Sequence, residues 1–127
     1  AFGVSSSITA ARTRAHEYLL ARRLLRRLST GEIIDPQWTA FAFPVLWHYD
    51  VLRALDYLRA AGVPYDARMD DALAVERSRQ QPDGQWLRDV RHKHSLYDEL
   101  TGPVGAPNAW ITERARRVLD WYAPPAC

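Results

Sequence analysis

Phe41-Ala42-Phe43-Pro44-Val45-Leu46-Trp47-His48-Tyr49-Asp50-Val51-Leu52-Arg53-Ala54-Leu55-Asp56-Tyr57-Leu58-Arg59-Ala60-Ala61 is the stretch whose reading decides the fold. Pro44 suits the first turn of a helix, where its missing N–H leaves nothing unpaired. Trp47, Val51, Ala54, Leu55 and Leu58 then fall at i, i+4, i+7, i+8 and i+11, one apolar stripe at the helical period. Tyr49, Leu52 and Tyr57 add apolar surface on other sides. A helix apolar around most of its circumference is expected to lie between neighbours. Gly62 is placed to stop it, as glycine does just past a helix end. The stretch predicts a central helix over 44–61.

Toward the N-terminus, Ser7 is a cap candidate for a helix that starts at Ile8 and closes at Gly31. Ile8, Ala11, Ala15, Tyr18 and Leu25 share one face. Leu20, Leu24 and Leu28 make a second apolar line, and Arg12, His16, Arg23 and Arg27 a polar one. Arg22 to Arg27 puts cations where the helix dipole favours them, which reads as a solvated helix end. Binding of phosphate or an anionic membrane is the alternative for that end. Residues 31–40 form a loop with Pro36 and Trp38.

Toward the C-terminus, Gly62-Val63-Pro64 predicts a turn. Ala67 to Gln80 predicts a shorter helix that buries Met69, Ala72, Leu73 and Val75. Gln81 to Ala109 is irregular by pattern. Asn108 is placed to cap a last helix, Ala109 to Tyr122, with Ile111, Ala115, Val118 and Tyr122 facing one way. Glu113, Arg116, Arg117 and Asp120 face the other way. No segment alternates as a strand does.

Pro44 and Trp47 recur as Pro107 and Trp110 with the same internal spacing, and Trp38 is echoed by Trp86. Repetition of this kind predicts stacked helical hairpins, each burying its face on the next. The expectation is a single all-α domain over 1–127, with repeat 1 at about 7–63 and repeat 2 at about 64–123.

Composition narrows the classes. The 127 residues suffice for one domain with a core. Charged residues are 25% and the formal net charge is +2, too mild to imply a nucleic-acid partner. The only cysteine, Cys127, allows no intrachain disulfide, so the fold suits a reducing cytoplasm. No run approaches the roughly 20 apolar residues of a membrane span. Localisation is expected to be cytoplasmic, with peripheral membrane attachment as a variant. The chain opens on Ala1 and its only Met is Met69, which predicts a processed chain or a portion of a longer protein.

Gln81-Pro82-Asp83-Gly84-Gln85-Trp86 resembles the QW motif, Gln-x-x-Gly-x-Trp, of the terpenoid cyclase and prenyltransferase family that includes squalene cyclases. Phe43-Pro44-x-x-Trp47-x-Tyr49-Asp50-Val51-Leu52-Arg53 and Gly105-x-Pro107-Asn108-x-Trp110-x-Thr112 are similar to blocks of squalene-cyclase-like bacterial proteins. The resemblance implies an α/α toroid of inner and outer helices, of which two hairpins would form an incomplete α/α barrel, its C-terminal part. Gln81 would meet a helix end, Trp86 would stack, and Asp83 and Gly84 would supply the turn. The central and last helices would be inner ones. The departures are equally plain. Asp66-Ala67-Arg68-Met69-Asp70-Asp71 is not the Asp-x-Asp-Asp acid of the cyclases, and one cysteine cannot supply the zinc ligands of protein prenyltransferases.

For chemistry, His48 and Asp50 are the weak catalytic candidates, since a carboxyl with a raised pKa can deliver a proton and a histidine can orient it. On an ideal helix they point roughly 160° apart, so pairing between them is not expected, and Asp50 with Arg53 reads as a plain i, i+3 pair. Trp47, Tyr49, Arg53 and Trp110 are cavity-lining candidates, the aromatics offering faces to an isoprenoid cation or ordinary packing to the core. His92-Lys93-His94 reads as solvated loop rather than a metal site. No metal and no cofactor is expected. Three roles follow: a structural portion of a squalene-cyclase-like toroid without catalysis of its own, an enzyme on an isoprenoid-like apolar substrate when completed, or a helical-repeat interaction module. The expected partners are the upstream part of the same toroid or a second copy. Tyr49, Leu52 and Tyr57 would then be partly uncovered in the isolated chain.

Overall fold

The computed structural model describes residues 2–43, 48–90 and 103–122, residues 2–6 by backbone alone. Among the described residues lie four α-helices: α1 (Phe2–Ala21), α2 (Val51–Ala60), α3 (Asp70–Arg79) and α4 (Ala109–Tyr122). Two 3-10 turns, Pro36–Thr39 and Ala67–Met69, join them, and β-pairing is limited to isolated bridges. The chain is all-α there. No described helix is long and apolar enough to cross a membrane.

α1 departs from expectation at both ends. It begins at Phe2, so Ser7 lies inside it, and it ends at Ala21, well short of Gly31. The Arg23 N–H donates to the Leu20 carbonyl (2.9 Å) and the Leu24 N–H to the Leu19 carbonyl (3.0 Å). These two bonds are a Schellman closure, which needs a left-handed residue next. Arg23 and Leu24 supply it at φ 50° and 68°. Without glycine at that position the sequence carries no visible stop. The chain then folds back, the Arg27 N–H donating to the Glu32 carbonyl and the Ile34 N–H to the Leu25 carbonyl, each at 2.8 Å. Gly31, at φ 74°, serves this turn and not a helix end. Arg23 and Arg27 therefore leave the polar helix face expected to include them. Leu20, Leu24 and Leu25 are buried, whereas Ile8, Tyr18 and Leu28 are exposed.

α2 starts at Val51 rather than Pro44. Asp50 is extended (φ −145°, ψ 165°) and its Oδ1 accepts from the Arg53 N–H, an N-cap. Pro44 to Trp47 lie outside the described residues. At the other end Gly62 takes φ 77°, and the Gly62 and Val63 N–H groups return to the Arg59 and Leu58 carbonyls, both at 3.0 Å. This is the same closure with glycine in place. Val51, Leu52, Ala54, Leu55 and Leu58 are buried. Leu52 is thus covered, against expectation, because neighbours pack on more than one side of α2; Tyr49 is half-buried and Tyr57 exposed.

α2 packs against both α3 and α4. Tyr122, the last residue of α4, donates its hydroxyl to the carbonyl of Val63, just past the end of α2 (2.7 Å). Asp56, midway along α2, lies 3.4 Å and 3.6 Å from Arg114 and Arg117, midway along α4. The two helices therefore run parallel. α1 runs against α2, since His16 meets Tyr57 (3.1 Å) while Leu24 meets Tyr49 (2.7 Å). Arg68 bridges Glu17 of α1 and Asp66, tying α1 to the start of α3. One core joins the elements, with Phe41, Leu25, Leu55, Met69, Trp86 and Ile111 among its fully buried members.

Candidate functional site

His48 and Asp50 come together because the backbone there is extended and not helical. Their Nε2 and Oδ2 atoms are 3.8 Å apart, which corrects the expectation that they could not pair. His48 Nε2 also lies 2.8 Å from the Ala40 carbonyl, and since a carbonyl only accepts, Nε2 carries a proton. Burial pushes the Asp50 carboxyl up to about 6, against the Arg53 N–H and the His48 and Arg114 charges. Yet Asp50 is 2% exposed and its Oδ1 is committed to the cap. The Arg53 guanidinium donates to the His48 carbonyl (3.1 Å). The arrangement locks the start of α2.

The Gln81–Trp86 segment forms a tight turn between α3 and α4. The Gly84 N–H donates to the Gln81 carbonyl and the Gln81 N–H to the Gln85 carbonyl, both at 2.8 Å. Gly84 is at φ 83°, and Asp83 Oδ1 accepts from the Gln85 N–H (3.0 Å). Gln81 Nε2 donates to the carbonyl of Arg79, the last residue of α3 (3.1 Å). Trp86 is fully buried, and its Nε1 donates to the Glu76 carbonyl of α3 (2.8 Å). Its backbone N–H donates to Thr112 Oγ1 of α4 (3.0 Å), and its carbonyl accepts from the Asn108 N–H (3.0 Å). Asn108 Oδ1 in turn accepts from the Ile111 N–H and caps α4 (3.0 Å). One tryptophan thereby fastens the last turn of α3 to the first turn of α4.

The cavity-lining candidates separate. Tyr49 borders an apolar cleft of about 230 Å³, lined also by Tyr18, Leu19, Arg22, Leu24, Ile34 and Trp38. Tyr49 meets Trp38 edge to face, and its hydroxyl donates to the Leu24 carbonyl. Burial pushes its phenol well above the usual range. Arg53 and Trp110 do not line this cleft. Trp110 is exposed and stacks flat on Phe43, centroids 4.9 Å apart. Trp47 and the His92-Lys93-His94 segment lie outside the described residues. Among the described residues no group of three or more His, Cys, Asp or Glu side chains is placed to hold a metal.

Sequence reading missed Glu76. It is fully buried, and neither carboxyl oxygen has a hydrogen-bond partner among the described residues. Burial pushes its carboxyl up to about 9, which keeps it neutral at ordinary pH; Arg77 opposes the shift and Asp56 adds to it. The signal was present. Met69, Ala72, Leu73 and Glu76 fall at i, i+3, i+4 and i+7, so Glu76 shares the apolar face. No protein-family model, no curated protein and no solved structure matches the chain.

Proposed function

We propose that the chain is a structural portion of a squalene-cyclase-like α/α toroid, two helical hairpins without catalysis of their own. The observation that carries the reading is the parallel pairing of α2 and α4, with Tyr122 and Val63 bringing their ends together. A ring of hairpins places its inner helices in this relation, and α1, which opposes α2, falls in the outer layer. The Trp86 turn supports the same reading, since it joins an outer helix to the next inner one. The Asp50 carboxyl caps α2 and is sealed from solvent, which fits a structural role better than proton delivery.

Incubation with squalene and with an isoprenoid diphosphate, followed by product analysis, tests the absence of catalysis. Neither substrate is expected to be converted; turnover of either would overturn the proposal in favour of an enzyme. The mass in solution tests the incompleteness of the ring, with self-association expected. An inert monomer would favour a stand-alone interaction module.

A further inference from the structure

The cleft beside Tyr49 has a composition of its own. Trp38 and Tyr49 meet at 4.6 Å between centroids, and Leu19, Leu24, Ile34 and the Tyr18 ring supply the rest of the apolar lining. The Tyr49 hydroxyl is already bound to the Leu24 carbonyl. One charged side chain borders the cleft, Arg22. Its guanidinium lies over the Tyr18 ring, 3.5 Å from the centroid, and its Nη1 donates to the Tyr18 carbonyl (3.1 Å). No carboxylate among the described residues pairs with it, and a guanidinium has five N–H donors in a fixed fork. Stacking on Tyr18 holds that fork at the edge of an apolar space.

Volume sets the scale of an occupant. An apolar cavity of about 150 Å³ holds benzene. A cleft of about 230 Å³ has room for one aromatic ring with a short chain. Long isoprenoids exceed it, and an apolar ligand without charge would leave the Arg22 donors unused.

We infer that this cleft binds a small aryl-alkanoate, its ring against Trp38 and Tyr49 and its carboxylate on Arg22. Aromatic rings pack well edge-on or offset against such walls, and an arginine–carboxylate contact is a charge-assisted bond. The inference is independent of the toroid reading, whose tests are turnover and mass.

Calorimetric titration with 3-phenylpropanoate and its neutral amide, of equal size, tests it. The acid is expected to bind at least tenfold more tightly than the amide. Arg22→Gln is expected to bring the two within about threefold, with helical content unchanged by circular dichroism. Arg22→Lys, which keeps the charge without the planar fork, is expected to retain part of the preference. Methyl resonances of Leu19, Leu24 and Ile34 are expected to shift on binding. Equal affinity of acid and amide for the unaltered chain would overturn the proposal, as would no binding of either. So would a preference that survives Arg22→Gln.

Discussion

Glu76 gives the chain a pH dependence that the core residues around it cannot. In the unfolded chain its carboxyl titrates near the ordinary 4.5, and in the fold near 9. Below that window both states hold the proton. As pH rises through it, the unfolded state releases the proton while the folded state keeps it, so stability falls. Glu76→Gln keeps the shape and removes the ionisation. Urea melts near pH 4 are expected to show little difference between the two proteins. Near pH 7 the variant is expected to be more stable by on the order of 3 kcal/mol. A difference that does not change with pH would mean that Glu76 is not held neutral. Asp50 shifts in the same direction, up to about 6, but also accepts a cap bond that favours its charge. Asp50→Asn retains an acceptor and is expected to be at least as stable as the native chain at neutral pH. Asp50→Ala, which retains none, is expected to fall about 1 kcal/mol below Asp50→Asn in the same melts.

At the scale of elements, the Trp86 turn and the end of α1 carry opposite lessons. Trp86→Ala removes a fully buried ring and its bond to the Glu76 carbonyl, and a loss of about 3–5 kcal/mol is expected by thermal or urea unfolding. Trp86→Phe keeps most of the packing and is expected to lose less. This turn was legible in the sequence because its parts have residue signatures: Asp-Gly for left-handed backbone and Asn108 for the cap of the helix it meets. The stripe Ile111, Ala115, Val118 and Tyr122 was legible for the same reason, since periodicity alone fixes a buried face. The end of α1 was not, because Arg23 occupies a position that glycine normally marks. The start of α2 was misread at Pro44, the start signal the sequence reading used, whereas the fold makes Asp50 the cap. The pairing of His48 with Asp50 followed from that choice and could not be read before it. Left-handed backbone costs a non-glycine residue roughly 1–2 kcal/mol. Arg23→Gly is therefore expected to raise stability by about 1 kcal/mol despite the added freedom of the unfolded chain. A destabilised variant would show that the Arg23 side chain contributes more than its backbone costs.

For the whole molecule, several large apolar residues are left uncovered. On α4, Trp110 and Trp121 are 50% and 58% exposed, and eleven residues of helix bring them back to nearly the same face. The buried stripe of α4 faces elsewhere, and between the two tryptophans lie Glu113, Arg114 and Arg117, the two arginines turned to Asp56 of α2. On the other side, Tyr57 is 46% exposed, and Ile8 and Tyr18 leave α1 with apolar surface in water. Scattered exposed apolar residues are normal on any protein, and Trp110 and Trp121 are the largest of them among the described residues. The chain is expected to self-associate with rising concentration, burying Trp121, as read by sedimentation velocity. Trp121→Ser, which spares the Phe43 stack made by Trp110, is expected to weaken that association without lowering helical content. A monodisperse monomer at high concentration, silent to hydrophobic dyes, would contradict the expectation. The four helices would then be a self-sufficient unit, the exposed tryptophans would belong to a foreign partner, and the interaction-module reading would displace the toroid.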